Sequence, residues 1–182
     1  PMAEQLGLIS KIGDTVLRQS CHQATRWMKA GHDCKVAVNV SPLQFEESDF
    51  SEKVLSALRD ADLPPGRLEL EITETMAVAD TDRVSEIMRP LRAMGVRLAI
   101  DDFGAGHSNL VTLTRLPFDV FKIDQQFVSA LHSDKQAPAI VDMILAMAQT
   151  MGLESVAEGV ETEEQLNFLI EHHCDLVQGF YL

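Results

Sequence analysis

The chain has 182 residues, of which 46% are hydrophobic and 24% are charged, as expected for one ordinary globular domain with a sizeable core. Its formal net charge of −13 argues against binding a nucleic acid polymer through a basic face, which requires clustered lysine and arginine. The carboxylates either form a solvated acidic surface or, for a few of them, converge on metal ions.

The first half of the chain alternates helix-like and strand-like segments. In chain order the pattern predicts a helix over Leu6–Met28, a strand over Val36–Val40, a helix over Asp49–Ala61, a strand over Leu68–Thr73, a helix over Thr81–Met94 and a strand over Val96–Ile100. Gly95 follows the third of these helices, as expected of a helix cap.

The second half continues the alternation. It predicts strands over Val120–Ile123 and Ser155–Ala157, a strand opening at Leu176–Val177, and helices over Pro138–Met151 and Thr162–His172. The last helix opens with a capping-box pattern, in which Thr162 is the N-cap and Gln165 lies three residues on.

Strands that alternate with helices indicate βαβ units and a parallel sheet. The candidates are a doubly wound open sheet and a closed (β/α) barrel. No nucleotide-binding Gly-rich turn follows the first strand, which favours the barrel. We therefore predict an α/β fold, a TIM-like (β/α)8 barrel that is incomplete at the N-terminus and cut short at the C-terminus, with residues 1–182 as one partial domain.

A polar residue lies near the C-terminal end of every predicted strand, although both faces of a parallel sheet are normally covered by apolar side chains. In chain order these residues are Asn39, Glu71, Asp101 with Asp102, Lys122, Glu158 and Gln178. In a (β/α) barrel these ends open onto one face, where active sites are assembled. Each residue alone has an ordinary explanation, such as a capped turn or a surface lysine, but their joint placement favours a site.

The acids at this rim would repel one another and raise their own pKa values, and one lysine cannot offset all of them. One or two bound cations can. Oxygen ligands suit Mg²⁺ or Mn²⁺ rather than zinc.

The three cysteines, Cys21, Cys34 and Cys174, show no Cys-x-x-Cys pairing, so neither a disulfide framework nor a zinc site is indicated. No apolar run is long enough to cross a bilayer, and the first residues show no signal-peptide pattern. We expect a cytoplasmic setting, which includes the cytoplasmic part of a membrane-anchored protein, and no membrane contact by this segment.

At these positions the sequence resembles the EAL domains, which hydrolyse the bacterial second messenger cyclic di-GMP. The matching stretches are Asn39-Val40-Ser41, Glu69-Leu70-Glu71-Ile72-Thr73-Glu74, Asp101-Asp102-Phe103-Gly104-Ala105-Gly106, Phe121-Lys122-Ile123-Asp124, Ala157-Glu158-Gly159-Val160-Glu161 and Gln178-Gly179-Phe180. They occur in the family's order and cover essentially the whole chain.

The resemblance implies a role for each residue. The implied metal ligands are Asn39, Glu71, Asp101, Asp102 and Glu158, with Asp101 bridging two ions of Mg²⁺ or Mn²⁺. Lys122 would hold the attacking water or stabilise charge beside it, and Glu158 would also be catalytic. Glu74 would anchor the loop after the third strand, which shapes the metal site and the dimer contact. Gln178 and Glu161, together with Asn39, would position the substrate, and the expected product is linear pGpG.

The resemblance has limits. The family's Glu-Ala-Leu motif lies on a strand upstream of this chain, and its last barrel helix is expected downstream. Ala105, His107 and Asn109 stand where active relatives usually have Thr, Tyr and Ser. The resemblance also implies a homodimer fused to sensory or cyclase (GGDEF) domains.

Three functions follow as hypotheses. The first is an active phosphodiesterase, which would explain the full set of polar positions. The second is a non-catalytic cyclic di-GMP receptor, which would retain substrate contacts while losing metal ligands. The third is a dimerisation module, which would not require buried acids.

Overall fold

In the computed structural model, residues 7–103 and 113–182 are described. Their strands are β1 Val36–Asn39, β2 Leu68–Thr73, β3 Arg97–Phe103, β4 Val120–Ile123, β5 Glu154–Glu158 and β6 Leu176–Gln178. Their helices are α1 Ile9–Lys29, α2 Pro42–Phe45, α3 Phe50–Ala61, α4 Glu74–Ala79, α5 Thr81–Ala93, α6 Gln125–Ala130, α7 Ala137–Met151 and α8 Glu163–Glu171.

The chain divides into two compact units. The first comprises Pro1–Ile72 and Asp80–Leu98, and the second comprises Thr73–Ala79 and Ala99–Leu182. Within each unit, strands that are consecutive in the chain pair with each other in the sheet.

In the first unit β1 pairs in parallel with β2, in a regular register from Val36 opposite Leu68 to Asn39 opposite Glu71. Helix α1 packs against α3. Its buried residues Leu17, Cys21 and Ala24 are spaced by four and three residues, which places them on one helix face. At this interface the Thr25 hydroxyl donates a hydrogen bond to the Ala61 carbonyl oxygen at 2.8 Å, so the buried hydroxyl keeps a partner.

In the second unit β4 pairs in parallel with β3 and with β5, and β5 pairs in parallel with β6. All four residues of β4 are buried, as expected for a strand covered on both faces. Helix α7 packs against β4 and β5 with Val141, Ile144 and Ala148 on its buried side. Lys122 is therefore a charged residue within an otherwise apolar strand.

The predicted strand–helix alternation and parallel pairing are present, and the bounds of β2 and β4 agree with prediction. Gly95 follows α5 with a φ of 94°, and the predicted capping box of Thr162 and Gln165 forms at α8. Other bounds move by a few residues, and Leu6 lies outside the described residues. None of the described helices has the length and apolar character needed to cross a membrane.

One predicted bound was wrong, and three short helices were not predicted. The third strand does not end at Ile100 but continues to Phe103, so Asp101 and Asp102 belong to it. Three short helices, α2, α4 and α6, were not predicted, because four to six residues give too little periodicity to recognise.

Candidate functional site

Asn39 and Glu71 are brought together at the ends of β1 and β2. They are direct partners in the ladder, and the Val40 amide extends the pairing with a hydrogen bond of 3.0 Å to the Glu71 carbonyl oxygen. Glu71 is buried, whereas the Asn39 side chain is exposed. The first unit therefore presents an amide and a buried carboxyl group at neighbouring strand ends.

Asp101 and Asp102 lie at a β-bulge. In the β3–β4 ladder Ile100 pairs with Phe121 and Phe103 pairs with Ile123, so two aspartates stand opposite the single residue Lys122. In a regular strand these adjacent side chains would point to opposite faces of the sheet. Here Asp102 takes a left-handed φ of 55°, a conformation that aspartate tolerates better than most residues.

Lys122 is 5% exposed and is paired with two acids of the second unit. Its Nζ lies 2.6 Å from Glu158 Oε1 and 3.1 Å from Asp101 Oδ1. The second distance is that of an ion pair without hydrogen-bond geometry, since the buried Asp101 Oδ1 receives no hydrogen bond from the described residues. This carboxylate oxygen is therefore poorly satisfied.

Asp102 lies among like charges. Partial desolvation raises the pKa of its carboxyl group above the ordinary value, and the neighbouring Asp101, Asp124 and Glu158 raise it further. Asp124 also hydrogen-bonds to Asp102 and caps α6 by accepting a bond of 2.7 Å from the Gln126 amide. Its place beside Asp102 was not predicted, although an acid two residues after Lys122, just beyond the strand end, is a signal that could have found it.

The group formed by Asp101, Asp102, Asp124 and Glu158, which we call the acidic cluster, has the chemistry of a divalent-cation site. It offers oxygen donors, which Mg²⁺ and Mn²⁺ prefer, and one donor oxygen is buried without a hydrogen bond. Within residues 7–103 and 113–182, no three His, Cys, Asp or Glu side chains converge closely enough to hold a metal as they stand. The Lys122 ammonium instead supplies a positive charge between Asp101 and Glu158.

Gln178 and Glu161 lie beside the acidic cluster, since Gln178 is the direct ladder partner of Glu158. A pocket of about 290 Å³ opens at this point. It is lined by Gln125, Glu158, Gly159, Glu161, Gln178, Gly179 and Phe180. Its amide and carboxylate groups can fix the orientation of a polar ligand, and the exposed Phe180 ring offers a surface for stacking.

Glu74 is the first residue of α4 and is buried in the second unit. The loop that it is predicted to anchor, including Ala105, His107 and Asn109, lies outside the described residues. The anchoring role of Glu74 therefore stays a prediction.

A larger pocket of about 520 Å³ in the second unit is lined in part by Asp142, His172 and Asp175. None of the predicted site residues lines it. His172 and Asp142 already pair with each other, with Nδ1 and Oδ1 2.7 Å apart. We therefore place the candidate site at the acidic cluster and not at this larger pocket.

A family model described as "EAL domain" matches residues 1–182. The chain belongs to the EAL domain family. It is 45% identical over 183 residues to the bifunctional diguanylate cyclase/cyclic di-GMP phosphodiesterase MucR of Pseudomonas aeruginosa, covering 100% of this chain and 27% of MucR. The chain thus spans about a quarter of that curated relative. The family resemblance seen in the sequence is confirmed.

Two solved structures extend the comparison. The MucR phosphodiesterase in complex with cyclic di-GMP has a TM-score of 0.97 at 45% identity, covering 100% of this chain and 74% of that one. BlrP1 of Klebsiella pneumoniae, in a manganese and cyclic di-GMP complex, has a TM-score of 0.84 at 31% identity, covering 94% of this chain and 44% of that one. The predicted fold class, part of a TIM-like (β/α)8 barrel, is confirmed by these similarities.

Proposed function

We propose that this EAL domain hydrolyses cyclic di-GMP to linear pGpG in a metal-dependent reaction. The observation that carries the proposal is the acidic cluster, in which the pKa of Asp102 is raised and Asp101 retains a buried oxygen without a hydrogen bond. A receptor or a dimerisation surface has no need for such crowded carboxylates. The relative MucR carries the name of a cyclic di-GMP phosphodiesterase, and this supports the substrate.

We assign two ions of Mg²⁺ or Mn²⁺ to this site. Asp101, Asp102 and Glu158 of the second unit would hold them, and Asn39 and Glu71 of the first unit stay proposed as further ligands. When bound, such ions polarise a phosphodiester and lower the pKa of water. The oxygen-only donor set and the manganese in the BlrP1 complex support this choice.

The remaining residues act on charge and orientation. Lys122 holds Asp101 and Glu158 in place through its ammonium group and stabilises negative charge that develops beside it. Glu158 would accept a proton from the attacking water. Gln178, Glu161 and Asn39 would orient the substrate, and Glu74 would anchor the loop after β3. The ions, rather than basic side chains, allow an acidic protein to hold a dianionic ligand.

One observation favours a second candidate, a non-catalytic cyclic di-GMP receptor. Among the described side chains, no three acids are already arranged around a metal position. A receptor would keep the pocket beside Gln178 without requiring ions.

The setting of the domain is also proposed. The length of MucR supports fusion to sensory or GGDEF domains, and we propose that the domain acts as a homodimer. The free thiols of Cys21, Cys34 and Cys174 support a cytoplasmic location.

Turnover of cyclic di-GMP separates the two candidates. The protein is incubated with cyclic di-GMP and Mn²⁺, and pGpG is followed by chromatography. We expect hydrolysis by the wild type, loss of roughly a hundredfold or more in Glu158→Gln, and wild-type rates in Glu171→Gln, an exposed acid outside the site. Binding of cyclic di-GMP without turnover by the wild type would establish the receptor, and neither binding nor turnover would exclude both.

A further inference from the structure

The segment Gly159–Glu161, which we call the β5 turn, is fixed from two sides within the second unit. The Val160 amide donates a hydrogen bond of 3.0 Å to the Gln178 carbonyl oxygen, and the Tyr181 amide donates one of 3.0 Å to the Val160 carbonyl oxygen. The Glu161 amide donates one of 2.7 Å to Gln165 Oε1. The turn therefore joins the end of β6 to the start of α8.

Gly179 makes this junction possible by lacking a side chain. A Cβ atom at this position would lie 2.0 Å from the Val160 carbonyl oxygen and 2.3 Å from its amide nitrogen. Because both atoms are backbone, no rotamer change can relieve the overlap. To reach a separation of 3.0 Å, the β5 turn would have to move by about 1 Å.

Gly159 meets a second element of the unit. Its φ is 71°, and a Cβ atom would lie 2.6 Å from Gln125 Cβ at the start of α6. Gly152, at the end of α7, has nearly the same φ of 68°, but a Cβ atom there would meet nothing within 4 Å. Both glycines therefore adopt a left-handed backbone conformation, but only Gly159 lies so close to a neighbouring residue that a side chain would overlap with it.

The β5 turn begins directly after Glu158, whose carboxylate lies 2.6 Å from Lys122 Nζ, and it ends at Glu161. Both acids line the 290 Å³ pocket beside Gln178. We propose that Gly179 and Gly159 are positioning residues, whose missing side chains let the β5 turn lie close to β6 and α6 and so fix the carboxylates of Glu158 and Glu161. The expected effect on hydrolysis rests on the proposed function, whereas the packing of the β5 turn against β6 and α6 does not depend on it.

The test compares Gly179→Ala and Gly159→Ala with the matched control Gly152→Ala in the whole protein. Three quantities are measured: Mn²⁺ affinity, kcat for cyclic di-GMP, and amide hydrogen exchange at Val160 and Tyr181. We expect Mn²⁺ affinity to fall about 10–100-fold in the first two variants, as when support around a metal site is lost. We expect kcat to fall about a hundredfold, the cost of a 1 Å misplacement. Exchange at both amides should accelerate.

The control and a rescue decide the outcome. Gly152→Ala should show the instability of a strained backbone while keeping wild-type Mn²⁺ affinity and kcat. Adding Gln125→Gly to Gly159→Ala removes the contact at 2.6 Å and leaves the Gln125 Cα at 3.3 Å, so it should restore part of the lost affinity. The proposal would be overturned if Gly159→Ala behaved like Gly152→Ala, or if Gln125→Gly did not rescue Gly159→Ala. The comparison of Gly159→Ala with Gly152→Ala decides the outcome even where Gly179→Ala does not fold. If the wild type does not hydrolyse cyclic di-GMP, the proposed function fails. Amide exchange at Val160 and Tyr181 still shows whether the two glycines hold the β5 turn in place.

Discussion

Polar groups are placed in two different ways at the strand ends, one at β1 and β2 and the other at β3 and β4. In the first unit the ladder is regular, and Asn39 and Glu71 face each other as direct partners. In the second unit the ladder is bulged, and two successive aspartates stand opposite Lys122. In a regular ladder two adjacent side chains of a strand point to opposite faces, whereas a bulge can turn the second one toward the same side as the first. The bulge concentrates charge in the second unit.

The largest expected effect comes from removing the lysine in this bulged region. Lys122→Met leaves Asp101 and Glu158 without their buried counter-charge, so we expect the metal-free protein to lose about 3–5 kcal/mol of unfolding free energy. Urea unfolding without metal measures this loss. Mn²⁺ should restore more stability to the variant than to the wild type, because a cation then replaces the ammonium.

Lys53 in the first unit provides the control. Lys122 faces two carboxylates, whereas Lys53 faces three, with Nζ 2.5 Å from Glu47, 3.3 Å from Asp49 and 3.7 Å from Asp14, and its side chain is 27% exposed rather than buried. Solvent screens these charges, so Lys53→Met should cost about 1 kcal/mol or less. Equal losses in the two lysine variants would contradict the distinction between a buried cluster and a surface network.

The next prediction separates the contribution of the Asp102 backbone conformation from that of its carboxylate charge. Asp102→Ala and Asp102→Asn both remove the carboxylate, but alanine is poorly suited to a φ of 55° and should be less stable than asparagine by about 1–2 kcal/mol. Both should weaken Mn²⁺ binding. Thermal unfolding and Mn²⁺ titration provide the two measurements.

Asp62 is the matched position, because it has the same φ of 55° at the end of α3. Asp62→Ala and Asp62→Asn should differ in stability by a similar amount and leave Mn²⁺ binding unchanged. If Asp102→Ala were as stable as Asp102→Asn while the Asp62 pair differed, the bulge would not persist in solution.

The smallest expected effect on stability concerns the interior of the first unit. Burial raises the pKa of the Cys21 thiol from 9.0 to about 11. Because the folded pKa is the higher one, this thiol stabilises the fold below its ordinary pKa, and the contribution disappears as pH rises through about 11. At pH 8 we expect iodoacetamide to alkylate Cys21 at least about a hundredfold more slowly in the folded than in the urea-unfolded protein, because the folded thiol is both less ionised and fully buried. Mass spectrometry follows the modification, and equal rates would show that α1 opens readily.

The sequence predicted the site residues of the two regions unequally. Asn39 and Glu71 follow directly from the rule that polar residues at the ends of parallel strands are unusual, because their ladder is regular. Asp101 and Asp102 follow from the same rule, but the predicted strand ended one residue before them, because aspartate is a poor strand former and a bulge depends on tertiary pairing. The contact of Asp124 with Asp102 follows from that bulge and escaped prediction for the same reason.

Short elements and close approaches were the other features that escaped prediction. Helices α4 and α6 begin one and two residues after a strand, at Glu74 and Gln125, without the loop that would mark a boundary. The need for glycine at position 179 arises from the Val160 backbone, nineteen residues earlier in the chain. Such a requirement is created by packing, so residue periodicity alone cannot indicate it.

Mn²⁺ binding to the protein, measured from the electron paramagnetic resonance signal of the free ion, tests the central claim most directly. We expect saturable binding of about two ions per chain, as in two-metal sites, and a marked loss of binding in Asp101→Asn. Absence of saturable binding, or unchanged binding in Asp101→Asn, would contradict the assignment of the acidic cluster as a metal site.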